Sequence, residues 1–236
     1  MASLADWAGN AYPQNGGRSR VEVGIVQPDF DSYQHLSGYD NAMEPLQLLL
    51  GMSDSLRSDQ TELIVWPENA IESFIPSSLN SRLAQTVMDS VNRWRVPILS
   101  GGTYLREFEE DDHPPLVRRR NNGTPYLYYN SGMLFKPDRS FEVYNKNKLV
   151  PMVERIPFLD ALHHIPLPYT AWNELPWLAK GRKANALNLS DTLSTSALVC
   201  YDSIFSDWIG KIVRSSGHVG FLTIITNDGW WGNTSG

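Results

Sequence analysis

Residues 195–215 read TSALVCYDSIFSDWIGKIVRS. The first five, Thr195–Val199, form a short apolar run of strand length. A lone thiol, Cys200, follows it, and the residues from Ile204 to Ser215 carry apolar positions at helical spacing. A buried strand that runs through a polar residue into a helix is the unit of a layered α/β protein. In such folds, strand ends are where sites are built. A thiol beside a helix N-terminus is also expected to have its pKa lowered. Taken alone, however, a single cysteine reads as well as a small buried hydrophobe.

The same alternation extends outward from this stretch. Val21–Gln27, Leu63–Trp66, Pro97–Ser100 and Phe221–Thr226 read as strands, and Tyr39–Leu56 and Ser78–Trp94 as amphipathic helices. Tyr126–Phe135 and Phe141–Lys148 flank the turn-like Lys136-Pro137-Asp138-Arg139 and read as a hairpin. The predicted order is β-α-β-α-β-β-β-β-α-β, an α/β fold with a mixed sheet. Residues 105–125 and 155–193 are expected to be long irregular segments. The second carries Pro157, Pro166, Pro168, Trp172, Pro176 and Trp177, and loops of this length often cover a site.

Composition narrows the function. The 236 residues are 42% hydrophobic and 19% charged, enough for a core, with a formal net charge of −6. That balance argues against a nucleic-acid partner, which calls for a basic face. The basic run Arg118-Arg119-Arg120 follows the acidic run Glu109–Asp112 and reads as a charge-mixed, solvated loop. One cysteine excludes an internal disulfide and a multi-cysteine zinc site. No stretch reaches the ~18 apolar residues needed to span a bilayer. Residues 1–20 lack the apolar segment of a signal peptide and read as a leader or linker, with 21–236 as the folded unit.

Three polar residues end apolar strands: Glu68 after LIVWP, Lys146 near the end of Phe141–Lys148, and Cys200 after SALV. A nucleophilic thiol needs a base, which a carboxylate in a partly apolar pocket supplies. An acyl transfer also needs donors where the oxyanion develops, a role open to Lys146 and the Tyr201 N–H. Individually, Glu68 reads more readily as a surface-loop acid and Lys146 as a solvated strand end.

Five stretches resemble the nitrilase, or carbon–nitrogen hydrolase, superfamily, and more closely its branch of bacterial apolipoprotein N-acyltransferases. They are VGIVQPDFD (Val23–Asp31), LIVWPENAI (Leu63–Ile71), YNKNKLVPMVERIPF (Tyr144–Phe158), LVCYDSIFSDW (Leu198–Trp208) and TNDGWWGNTSG (Thr226–Gly236). The resemblance implies an α-β-β-α sandwich, here incomplete at the C-terminus. It implies Glu68 as base, Lys146 as the triad lysine, Cys200 as nucleophile and Glu154 as a further essential glutamate. Lys148 is also close, but the family's lysine stands two places before the Leu-Val-Pro run, which is Lys146. Tyr201 and Asp202 match the family's Tyr-Glu.

The implied reaction moves a fatty acyl group from a phospholipid through a cysteine thioester to the N-terminal amine of a diacylglyceryl-apolipoprotein, with no metal or organic cofactor. The implied place is the periplasmic side of a bacterial inner membrane, reached through membrane segments that this sequence lacks. Two rivals are a soluble nitrilase-like amidase acting on a small amide and a non-catalytic binding module. Departures from the family pattern are Asp202 for Glu and Met152-Val153 for Phe-Gly. Losing that Gly is expected to restrict a loop that needs positive φ.

Overall fold

The computed structural model describes residues 20–28, 30, 39–162 and 177–227. Residues 1–19, most of the stretch read as a leader or linker, lie outside the described residues, as do 29, 31–38, the Pro- and Trp-bearing segment from 163 to 176, and 228–236.

The first sheet contains β1 (Val23–Ile25), β2 (Leu63–Val65), β3 (Ile71–Pro76), β4 (Ile98–Glu107), β5 (Arg118–Arg119), β6 (Pro125–Phe135) and β7 (Phe141–Asn145). Its path is β1-β2-β4-β6-β5, with β3 also on β4 and β7 also on β6. β1 pairs in parallel with β2, and β2 and β3 with β4; β6 is antiparallel to β4, β5 and β7. A second sheet joins β8 (Leu187–Asn188), β9 (Ser194–Val199) and β10 (Phe221–Ile225) in the order β10-β9-β8.

Helices α1 (Met43–Leu56) and α2 (Arg82–Trp94) cover the outer face of the first sheet. Leu46, Leu49, Val87 and Val91 pack there on Ile64, Trp66, Ile98 and Phe135. α2 starts at Ser81, whose side chain accepts from the Ala84 N–H, and ends at Arg95 with φ +59; a cap of this kind contributes about 1 kcal/mol. The inner face packs on the second sheet through Leu63, Val65, Leu99, Leu134, Ala197 and Val199. The helix Ser206–Ser215, here α4 because a single turn α3 (Leu159–Leu162) precedes it, closes the far side with Trp208 and Ile212. The layers therefore run helix, sheet, sheet, helix. The two sheets come close at Gly132, where an added Cβ would lie 2.6 Å from the Ala197 Cβ.

Several elements differ from the sequence reading. The predicted strand at 97–100 runs on to Glu107, and β3 has no counterpart among the predicted elements. Gly101-Gly102 looks like a breaker but lies inside β4, where a Cβ on Gly101 would meet the Glu68 Cα at 2.5 Å and the Pro67 oxygen at 2.6 Å. β2 and β3 pair with successive parts of β4. The chain thus leaves the sheet for residues 66–70 and rejoins it, and Gly101 is the empty space under that excursion. The expected irregular segment 105–125 contributes the end of β4 and all of β5. In it, Arg119 and Arg120 pair with Glu110 at 2.6 Å and Glu107 at 2.8 Å. Arg118 is half-buried and stacks over Trp177 at 4.8 Å. The helix expected from Ile204 begins at Ser206, after a 3-10 turn at Cys200–Ile204.

Candidate active site

Glu68 occupies the excursion between β2 and β3, and its N–H donates to the Thr226 carbonyl at 3.4 Å. Lys146 is the residue after β7, held by its own N–H to the Asn130 carbonyl at 2.9 Å. Glu154 stands in a tight loop where the Val150 N–H donates to its Oε2 at 2.7 Å and its own N–H donates to the Val150 carbonyl at 2.9 Å. Glu68 thus meets Lys146 and Glu154, which lie 78 and 86 residues further along the chain, at the end of the inter-sheet core.

Their side chains form a closed polar ring. The Lys146 ammonium lies 3.3 Å from Glu68 Oε1 and 2.9 Å from Glu154 Oε1. The Asn130 amide donates both its hydrogens to the same two oxygens, at 2.7 Å each. Glu68, Lys146 and Asn130 are 4%, 1% and 5% exposed, while the Glu154 side chain is 12% exposed, so three of the four members are buried and the ring meets water only at Glu154. Burial opposes the charge on Lys146, but the Glu68 and Glu154 carboxylates outweigh it and hold the ammonium pKa above its ordinary value. Sequence reading names the three charged members and misses Asn130. An uncharged residue inside a hydrophobic strand gives no signal unless its partners' positions are known.

Cys200 reaches this ring from the second sheet, on the residue after β9, with φ +43. The left-handed region is uncommon for a side-chain-bearing residue, and such strain costs on the order of 1–3 kcal/mol. The turn thereby projects the thiol towards Glu68. Burial pushes the thiol pKa up, and the Glu68 carboxylate pushes it further; a hydrogen bond with Thr226 and the Lys146 charge oppose them. The expected lowering by a helix N-terminus does not occur. α4 begins only at Ser206, and a helix dipole fades within its first turn. Cys200 therefore lies beside Glu68 with its thiol pKa held above the ordinary value.

Asp202 is fully buried and ties the turn to the lysine segment. It accepts from the Tyr144 hydroxyl at 2.6 Å, the Lys148 N–H at 2.7 Å and the Asn147 N–H at 3.4 Å. The Trp208 indole donates to the same Tyr144 oxygen at 2.8 Å. Burial raises the Asp202 pKa against the pull of these bonds. The Asp202 side chain caps neither the 3-10 turn nor α4. Tyr201 packs its ring edge-on against Phe205. Lys148 lies away from the ring, 4.6 Å over the Phe205 ring and 3.7 Å from Asp207. In the loop before Glu154 the positive φ falls on Met152, at +66, and not on Val153, which stands where the family pattern has Gly. The loop therefore does not need a glycine at that place.

Residues 23–232 match the family profile described as carbon–nitrogen hydrolase. Among curated relatives, the chain is 31% identical over 225 residues to an apolipoprotein N-acyltransferase from Chlorobaculum tepidum, covering 92% of this chain and 41% of that protein. It is 28% identical over 223 residues to one from Sinorhizobium fredii, covering 91% and 38%. The chain thus spans about two fifths of the length of these relatives. Among solved structures, it superposes on the NitN amidase from Neterenkonia sp. AN1 with a TM-score of 0.51 at 12% identity, over 88% of this chain and 67% of that one. It superposes on a CN-hydrolase superfamily protein from Xanthomonas campestris with a TM-score of 0.50 at 14% identity, over 80% and 60%. At these identities the likeness is one of fold.

Proposed function

The chain belongs to the carbon–nitrogen hydrolase family, and from that premise we propose that it carries out acyl transfer through a thioester on Cys200. One observation carries the reading. The single cysteine of the chain is set on a strained turn beside a buried Glu–Lys–Glu–Asn ring, with the Glu68 carboxylate near enough to raise the thiol pKa.

In the first half-reaction, Glu68 takes the thiol proton as sulfur attacks an ester carbonyl, forming the C–S bond. The carbonyl oxygen becomes an alkoxide, stabilised by the Lys146 ammonium and the Tyr201 N–H. The alkoxide collapses, the C–O ester bond breaks, and Glu68 returns its proton to the departing alcohol. In the second half, Glu68 takes a proton from an attacking amine. A C–N bond forms, the C–S bond breaks, and the thiolate recovers the proton. Asn130 and Glu154 keep the base and the cation in register throughout. The raised thiol pKa fits this order, since the thiolate arises only as the proton moves to Glu68.

The relatives' names point to N-acylation of an apolipoprotein; the motif resemblance adds a phospholipid as acyl donor and the N-terminal amine of a diacylglyceryl-apolipoprotein as acceptor. Both reside in membranes, which fits a reaction at the periplasmic face of a bacterial inner membrane. Among the described residues, no helix is long and apolar enough to cross a bilayer.

The test is intact-mass spectrometry of the chain after incubation with a phospholipid. A mass increase equal to one fatty acyl group, reversed by hydroxylamine and missing in Cys200→Ala, is the expected result. An equal adduct in Cys200→Ala would overturn the assignment. Adduct formation from a small amide and none from an ester would favour amide hydrolysis instead.

A further inference from the structure

The strands that hold the polar ring have a back side. Tyr129, Asn145 and Arg155 each adjoin a ring residue in sequence, next to Asn130, Lys146 and Glu154. All three line a separate cleft of about 860 Å³ that contains none of the ring residues. This volume suits a small molecule.

Two features of the cleft stand out. The first is charge. Arg106, Arg155, Lys180, Arg182 and Lys183 line it, against the carboxylates Asp112 and Asp160. Asp160 is already engaged by Arg155 at 2.7 Å. Among the described residues, Arg106, Lys180, Arg182 and Lys183 make no ion pair. In a chain of net charge −6, four cations with no ion pair among the described residues, gathered around one concavity, form a local anion-attracting field. The second is an apolar floor. Tyr104, Leu127, Tyr129, Val143 and Trp177 line the same space. Arg106 and Arg182 lie close enough to Tyr129 to act on its hydroxyl.

The basic stretch Lys180-Gly181-Arg182-Lys183 is anchored. The Gly181 N–H donates to the Lys146 carbonyl at 2.8 Å, and the Asn147 amide donates to the Gly181 carbonyl at 2.5 Å. Ala179 and Gly181 are buried, while Lys180 and Arg182 are exposed. The cations therefore project from a pinned backbone, which lowers the entropy lost when they close on a ligand.

We infer that this cleft binds a phosphate group carried on a small apolar body. Guanidinium and ammonium donors match phosphate oxygens, and the aromatic floor takes the apolar part. This site is distinct from the Cys200 ring and stands whether or not Cys200 is acylated.

The test is isothermal titration of the full chain with dihexanoyl phosphatidic acid at concentrations where it is monomeric. Inorganic phosphate and dihexanoylglycerol serve as the two half-ligands. Saturable binding of the phosphatidic acid is expected, at least about tenfold tighter than either half and weakened by added salt. The triple variant Lys180→Gln, Arg182→Gln, Lys183→Gln should bind at least about tenfold more weakly, and Arg106→Gln on the other wall several-fold more weakly. All four side chains are exposed, and unchanged thermal unfolding would show that the fold is retained. No saturable binding, equal binding of inorganic phosphate, or undiminished binding by the triple variant would each overturn the inference.

Discussion

The two halves of the candidate site are built in opposite ways. The charged half sits at strand ends of the seven-stranded sheet, almost wholly buried, with Glu68, Lys146 and Glu154 all hydrogen-bonded within the ring. The nucleophile half is a single residue at the end of β9. It is only partly buried, held at φ +43, and followed by a short turn whose Ile204 is 66% exposed. Under the proposed reaction, the contrast separates two tasks. Groups that would hold or pass a proton are pre-oriented by packing, which avoids reorganisation during the reaction. The atom proposed to form bonds with substrate is the less buried one. What joins the halves is Asp202, which belongs to the nucleophile turn but bonds to the lysine segment.

The comparison breaks most visibly in the ring. Lys146→Met removes the cation between the Glu68 and Glu154 carboxylates, and thioester formation should fall by ~10²–10³-fold. Glu68→Gln should lower it by ~10²-fold or more. The two substitutions should part company when the thiol is alkylated with iodoacetamide. The Glu68 charge raises the thiol pKa and the Lys146 charge lowers it. Glu68→Gln should therefore shift the pH–rate curve of alkylation to lower pH and speed labelling near neutrality, while Lys146→Met should shift it upward and slow labelling. Curves that move together would dissolve the distinction between base and donor.

A smaller effect is expected where the halves are joined. Asp202→Ala strands the Tyr144 hydroxyl and the Lys148 N–H in the interior and should lower stability by about 2–4 kcal/mol, read by thermal or urea unfolding. Asp202→Asn keeps one acceptor and should lose about 1 kcal/mol. If Asn is as harmful as Ala, charge and not geometry holds the turn. Asn130→Ala leaves Lys146 to hold both glutamates, and thioester formation should drop by about tenfold. Lys148→Met should change it by less than about twofold, since that ammonium is partly exposed and remote from the ring.

Much of this architecture can be read from residue order. β9 is legible as a buried strand because the apolar residues Ala197–Val199 close a run too short for a helix. The hairpin of β6 and β7 follows from the Lys136–Arg139 turn, and both long helices from their spacing. What escapes is set by non-local contact. Gly101-Gly102 reads as a break because the reason for the glycines, the Glu68 excursion leaning on β4, lies far back in the chain. β5 and β8 are two residues each and exist only through their partners. The charged members of the ring are visible as polar ends of apolar runs. Asn130 and the Tyr144–Asp202–Trp208 chain are not, since each is polar only with respect to a neighbour brought in by the fold.

Gly132 lies two residues from Asn130 on β6, and Ala197 three residues from Cys200 on β9. Their near-contact works as the gauge block of an instrument: it sets how far the carrier of Asn130, which holds the proposed base Glu68, stands from the carrier of the proposed nucleophile. A methyl group inserted at 132 wedges the carriers apart, and a shift of about an ångström in reacting groups is worth ~10²-fold in rate. A library that diversifies this inter-sheet core while sparing every polar residue is therefore a library of catalytic alignments, and its members will differ in kcat before they differ in melting temperature.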